Sequence, residues 1–321
     1  MRALLVHNPA AGGGRSARLL PPVLECLRSA GVEVEVHRTV SLEDACLAAR
    51  QGAASVDAVV AMGGDGTVGA CAAGLADAGL AAGRAAEAMA GAGTRVAPLG
   101  IVPAGGGNDA ARNLGLPFRD PLAAATMLPS LRARRADLVR AGERCVLNAA
   151  GAGFDAEVSR RANRRLSRAP SRLRYVGAVL AELVSGRPAS FRLRLDGRPI
   201  ETSAWLVAVA NSQSYGGGMR IAPAALLDDG LLDVVVIAGE LSRRGFLATF
   251  PKVFSGRHVE HPAVHLYRAS AVDLDAERAV AVHVDGEPAG TVPVSFKVAP
   301  GAIAVLATSD APAFSPGPSA P

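Results

Sequence analysis

The chain has 321 residues, half of them apolar but only 4% aromatic, so its interior must be built from Ala, Val and Leu. That length exceeds one small core and predicts two domains. No uncharged apolar run approaches the ~18 residues a membrane-spanning helix needs, which leaves a soluble protein or one bound at a membrane surface.

The net charge of +5 is unevenly spread. Residues 132–174 hold twelve Arg against four acids, a local excess larger than that of the whole chain. Such a patch attracts anionic surfaces. No helix-turn-helix, zinc or RNA-recognition pattern accompanies it, so no nucleic acid is expected as a partner. Cys26, Cys46, Cys71 and Cys145 are widely spaced with no Cys-x-x-Cys pair, which predicts buried, reduced thiols in a cytoplasmic protein. The first apolar run ends at His7 and reads as a short strand rather than a signal peptide.

In chain order, residues 3–6 read as a buried strand, followed by a glycine turn, Asn8-Pro9-Ala10-Ala11-Gly12-Gly13-Gly14-Arg15. A helix over 16–30 follows from the spacing of Leu19, Leu20, Val23, Leu24 and Leu27. A strand over 32–38 ends at Thr39, a helix covers 42–51, and an apolar strand covers 56–62. Gly63-Gly64-Asp65-Gly66-Thr67 then opens onto an Ala-rich helix. Residues 76–93 are expected to be helix plus a mobile loop. A strand over 96–102 exits through a third glycine turn, Pro103-Ala104-Gly105-Gly106-Gly107-Asn108-Asp109, into a helix over 110–114. Alternating strands and helices predict a parallel sheet, with the three turns gathered at the carboxyl ends of its strands. Free N–H groups at a helix start favour phosphate, and the embedded Asp65 and Asp109 suit a cation beside it. Taken alone, Asp109 is equally an N-cap.

Beyond residue 130 short β-like segments dominate: 135–139, 144–149, 190–195, 204–210, 231–237, 264–266, 279–284 and 302–306. Turn signals such as Asp196-Gly197 and Asp285-Gly286 separate them, and helical stretches near 156–185 and 241–254 interrupt them. The fold class is therefore α/β plus all-β. Residues 1–130 form an α/β domain, 131–299 a β-sandwich, and 300–309 return to the first domain. The Pro-, Ser- and Ala-rich residues 310–321 are expected to be disordered. His258, His261 and His265 lack the pattern of a fourth ligand, so zinc is not expected. No Gly-Lys-Ser/Thr occurs and no lysine precedes Lys252, which excludes P-loop and protein-kinase sites.

Six motifs in order resemble the diacylglycerol kinase catalytic-domain family, in particular its bacterial soluble lipid kinases, over nearly the whole chain. They are Asn8-Pro9 with its turn, residues 63–67, residues 103–109, Leu147-Asn148-Ala149-Ala150-Gly151-Ala152-Gly153-Phe154-Asp155, a long stretch from Asn211 to Asp233, and Val284-Asp285-Gly286-Glu287. The resemblance implies a three-layer nucleotide-binding domain like that of phosphofructokinases and NAD kinases, followed by a β-sandwich. It implies ATP-dependent phosphorylation of diacylglycerol or a related lipid, with ATP in a cleft between the domains. Asn8, Thr39, Gly63, Gly64, Asp65, Gly66, Thr67, Gly106, Asn108 and Asp109 would hold the nucleotide. Asp65, Asp109 and Asp137 would bind catalytic Mg²⁺ through water, and Asp229 with the Leu226 and Leu231 carbonyls a structural Mg²⁺. Glu287, with Asp285 beside it, would take the proton from the acceptor hydroxyl. A positioned carboxylate suits so poor a nucleophile as an alcohol. Gly106 departs from the family's usual Thr, and Gly69-Ala70 from its Asn-Glu.

An NAD kinase or other small-molecule kinase, and a non-catalytic lipid- or nucleotide-binding regulator, are the alternatives. The seven Arg of residues 160–174 suggest peripheral contact with the inner face of a membrane, or equally a solvated helix. Monomer and homodimer both remain open.

Overall fold

The computed structural model describes residues 1–89, 96–142, 144–154 and 186–315. The helical stretch expected near 156–185, with its basic segment 160–174 and Asp155, lies outside the described residues, as do 316–321. The chain forms two compact units: Met1–Leu138 with Leu227–Asp229 and Ala299–Pro321, and Val139–Leu226 with Gly230–Val298.

The first unit is a three-layer α/β domain. Its strands are β1 (Arg2–His7), β2 (Glu33–Arg38), β3 (Ala58–Gly63) and β4 (Leu99–Pro103), all parallel in the order β2-β1-β3-β4. The C-terminal part of a later strand, β15, adds beside β4 in parallel, with Val305 opposite Leu99. Strands β3 and β4 are buried throughout, which is why they read as unbroken apolar runs. One face is covered by α1 (Arg15–Ser29) and α5 (Pro121–Met127), whose Leu20, Val23, Leu27 and Ala125 pack with Leu5, Val60, Met62 and Val102. On the other face α2 (Leu42–Gly52) packs closely against α3 (Asp65–Met89); a Cβ on Gly74 would lie 2.1 Å from the Cys46 carbonyl oxygen. A short α4 (Asp109–Asn113) follows β4. The helix α5 has no counterpart among the predicted elements, although Asp120 caps it by accepting from the Leu122 and Ala123 N–H groups.

The tail expected to be disordered is packed in its described part. Ala313 donates to the Asn113 carbonyl and accepts from Leu227 N–H. Phe314 is buried, with the Arg134 guanidinium 4.1 Å from its ring centroid. Asp228 accepts from both the N–H and the hydroxyl of Ser315. Low-complexity composition therefore misled here, because one aromatic ring and three backbone bonds suffice to fix the segment.

The second unit is an antiparallel β-sandwich. Strand β5 (Arg132–Ala141) leads into it and pairs with β6 (Arg144–Val146). The remaining strands are β7 (Ala149–Gly153), β8 (Ala189–Leu195), β9 (Arg198–Ala210), β10 (Leu232–Ala238), β11 (Val264–Ala269), β12 (Ala271–Ala276), β13 (Ala281–Val284), β14 (Glu287–Thr291) and β15 (Val294–Ala307). They run in the order β14-β13-β7-β9-β8-β12-β15, with β10 and β11 added beside β9. The long β9 pairs with β8 through its first half and with both β7 and β10 through its second. Its side chains enter two cores, with the alternation interrupted at Trp205-Leu206, where the register against β10 shifts. Val207 and Val209 face the sandwich interior with Phe191, Leu193 and Phe296. Trp205, Leu206 and Ala208 face a second core closed by α6 (Arg243–Thr249) and the 3₁₀ turns Phe250–Ser255 and Arg257–Glu260. Strands β12 and β14 were not expected, and β7 lies almost wholly beyond the segment expected over 144–149. In β12 the alternation of Val272 and Leu274 with Asp273 and Asp275 was the missed signal.

Candidate active site

In the first unit the sheet order places the β1 and β3 exits side by side, where the connections leave in opposite directions. Ligands bind at such a switch point in open α/β sheets. Register keeps the strand ends level: His7 pairs with Arg38 and Met62, and Gly63 with Pro103. The three glycine turns and Thr39 therefore meet at one edge, as the strand pattern predicted.

Their contacts are specific. The Asn8 side-chain amide donates to the Thr67 hydroxyl at 3.0 Å, tying the first turn to the second across the switch point. Arg15 donates to the Gly105 carbonyl at 3.1 Å, tying the first turn to the third. The second and third turns touch backbone to backbone, so that a Cβ on Gly105 would lie 2.4 Å from the Gly64 Cα. Only glycine fits such an approach. Thr67 stands in the first turn of α3, where the helix supplies no acceptors for its leading N–H groups. These residues fit an anionic phosphate chain: a glycine cradle opens on the positive end of a 25-residue helix.

Three expected ligands have partners within the protein. The Asp65 carboxylate accepts from Ala110 N–H at 2.9 Å and also engages the Asp109 and Asn108 N–H groups. Burial pushes this carboxyl up, and those amides pull it down. Asp65 thus caps α4 from a distance of 45 residues and locks the second turn to the third. Thr39 donates N–H to the His7 carbonyl and its hydroxyl to the Ser41 carbonyl. Asn108, in the left-handed conformation, accepts from Gly105 N–H and donates to the Phe118 carbonyl, so it braces the third turn. Gly106 is exposed, with open space where a side chain would stand.

Asp109 is buried 3.6 Å from Arg112. Asp137, on β5, accepts from Gly301 N–H at 2.7 Å. Among the described residues no three His, Cys, Asp or Glu side chains gather closely enough to hold an ion directly. Any cation held by Asp65, Asp109 and Asp137 would be bound through water. Asp229 lies in the segment that visits the first unit, while Leu226 and Leu231 flank it in the second. All four cysteines are free; Cys71 is buried, which pushes its thiol up, and the other three are half-buried rather than buried as expected.

In the second unit three of the quoted motifs converge. Asp285 and Gly286 occupy the left-handed turn between β13 and β14. The Asp285 carboxylate accepts from Leu147 N–H through Oδ2 and from the Asn148 and Ala149 N–H groups through Oδ1, at 2.9–3.2 Å. Asn148 accepts in turn from Asn211 and Ser212 N–H, and the Asn211 amide donates to the Leu147 carbonyl. Glu287, at the start of β14, is exposed. The two carboxylates thus differ: Asp285 is bound to amides, whereas Glu287 is open to a proton donor. Sequence reasoning gave no role to Arg15, which closes the first glycine turn, or to Ser212, which follows Asn211; their partners lie 90 and 64 residues away in the chain and no local pattern marks them.

Residues 2–141 match the family model described as diacylglycerol kinase catalytic domain, and residues 148–307 the one described as YegS C-terminal NAD kinase beta sandwich-like domain. A diacylglycerol kinase of Mycobacterium tuberculosis (strain ATCC 25618 / H37Rv) is 36% identical over 306 residues, 93% of either chain. One from Bacillus subtilis (strain 168) is 28% identical over 300 residues, 92% of either chain. A crystal structure of a diacylglycerol kinase from Bacillus anthracis str. Sterne shares the fold at a TM-score of 0.71 and 23% identity, over 97% of this chain and 98% of that one. Motif order, two-domain fold and full-length similarity agree: the chain belongs to the diacylglycerol kinase catalytic-domain family.

Proposed function

We propose that the protein is an ATP-dependent lipid kinase that transfers the γ-phosphate to the hydroxyl of diacylglycerol or a related lipid. The observation that carries this reading is the Asn8–Thr67 bridge at the β1/β3 switch point, beside the Gly64–Gly105 contact. It makes a rigid, preorganised cradle for a phosphate chain, and phosphoryl transfer depends chiefly on positioning and charge neutralisation. The amides of residues 63–67 bind the nucleotide phosphates, with Asn108 and Gly106 shaping the rim and Thr39 the floor. Glu287 accepts the hydroxyl proton as the new O–P bond forms and the bond to the departing ADP breaks. Asp285 positions Glu287 by fixing the hairpin against residues 147–149. Mg²⁺, held through water by Asp65, Asp109 and Asp137, would neutralise phosphate charge, and a second ion at Asp229 with the Leu226 and Leu231 carbonyls would be structural.

The lipid acceptor rests on the names of the relatives and on an apolar cavity in the second unit. Phe154, Leu206, Met219, Leu241, Phe246 and Phe250 line it. At about 40 Å³ it takes the end of a hydrocarbon chain and no more, so most of the acyl length remains outside. No helix among the described residues is long and apolar enough to cross a membrane. Peripheral contact at the inner membrane face is the corresponding cellular placement.

The test offers lipid extract and NAD in parallel, with radiolabelled ATP and Mg²⁺, and identifies the product by mass spectrometry. Phosphorylated diacylglycerol, or another phosphorylated lipid alcohol, is expected. Phosphorylated NAD alone would assign the chain to small-molecule kinases, and no product at all would favour a binding regulator.

A further inference from the structure

The second unit carries one face that the chemistry above does not use. Helix α6 continues without interruption into the 3₁₀ turn Phe250–Ser255, a single helical run of thirteen residues. Its inner side faces the protein: Phe246, Thr249 and Val253, all buried, and the partly buried Phe250 line the apolar cavity. Its outer side holds Arg243, Arg244, Leu247, Ala248, Pro251, Lys252, Phe254 and Ser255, all exposed. Leu247, Pro251 and Phe254 recur at spacings of four and three, which puts them in one stripe along the outer side.

Leu247 and Phe254 remain 46% and 50% exposed, although large side chains of this kind normally find cover. Arg243 and Arg244 lie at one end of the stripe, and Lys252, one of two lysines in the chain, at its edge; Arg257 follows just beyond. No acid occurs between Glu240 and Glu260. Glu260 pairs with Arg257, leaving the cations of the run itself as the charge this face presents.

We infer that residues 243–257 dock the protein on an anionic lipid surface. Leu247, Pro251 and Phe254 enter the headgroup–acyl boundary while Arg243, Arg244 and Lys252 meet lipid phosphates. Charge complementarity commits the face to this occupant: an apolar stripe flanked by cations without acids matches an anionic bilayer, and a neutral protein groove would not need the cations. The same helical run walls the apolar cavity, so docking it brings that cavity to the bilayer. This last step rests on the lipid-kinase reading; the docking itself does not.

The test is sedimentation of the full chain with phosphatidylcholine vesicles, with and without phosphatidylglycerol, in the absence of ATP. Binding that requires the anionic lipid and weakens in high salt is expected. The double substitution Leu247→Ser/Phe254→Ser should weaken partitioning about tenfold, and Arg244→Gln or Lys252→Gln about fivefold each. Thermal midpoints should stay near that of the parent chain, because all four side chains are exposed. Leu47→Ser, which removes a similarly exposed leucine from α2, should leave partitioning unchanged. Wild-type-like partitioning of the double variant would overturn the inference, as would an equal loss in Leu47→Ser or a failure of the parent chain to bind anionic vesicles. Loss of self-association in the double variant, with vesicle binding intact, would assign the face to a second copy instead. A chain that binds vesicles but phosphorylates no lipid would leave the docking intact and defeat the kinase reading.

Discussion

At Asp285 both carboxylate oxygens are taken by backbone N–H groups, one by Leu147 and the other by Asn148 and Ala149. Asparagine tolerates the same left-handed backbone but offers only one acceptor oxygen, so Asp285→Asn isolates the loss of these bonds. It should cost about 2 kcal/mol of stability, read by urea unfolding, and lower turnover through displacement of the hairpin. His7 and His258 supply a pH test. Burial lowers the pKa of both from the ordinary 6.5. The unfolded chain therefore binds more protons than the folded one as the pH falls through that value, and stability must drop on acidification. Chemical denaturation at about pH 7.5 and about pH 5.5 should show this fall, and a His7→Gln/His258→Gln variant should show a shallower one. Equal slopes in the two proteins would contradict the assignment.

Elements were legible where burial is simple. Unbroken apolar runs gave β3 and β4, helical spacing gave α1, and the glycine turns marked the strand exits. What sequence could not show is which polar atom another part of the backbone has already claimed. Asp65 and Asp109 look alike in a motif, yet Asp65 serves the amides of α4, 45 residues away. Nor could composition show that Phe314, in a Pro- and Ser-rich tail, lies under Arg134. Phe314→Ala should destabilise the first unit by about 3–4 kcal/mol, the usual cost of deleting a buried aromatic ring. A change below about 1 kcal/mol in urea unfolding would mean that the tail is dispensable.

At the scale of the molecule the chemistry is divided. The first unit holds the glycine cradle; the second holds the hairpin of Asp285 and Glu287, the apolar cavity and the exposed helical face. The domain order and the motifs of both units could be read from the chain, because each motif is local. The different surroundings of Asp285 and Glu287 could not, since they follow from hydrogen bonds spanning about 140 residues. The central claim is that Glu287 takes the proton from a lipid hydroxyl while the nucleotide sits on residues 63–67. Single-turnover transfer from labelled ATP to diacylglycerol, compared between the parent chain and Glu287→Gln, tests it most directly. Loss of a general base should slow lipid phosphorylation by about 10²–10⁴-fold, with ATP affinity and thermal midpoint unchanged because Glu287 is exposed and outside the cradle. Transfer by Glu287→Gln at the parent rate would contradict the account.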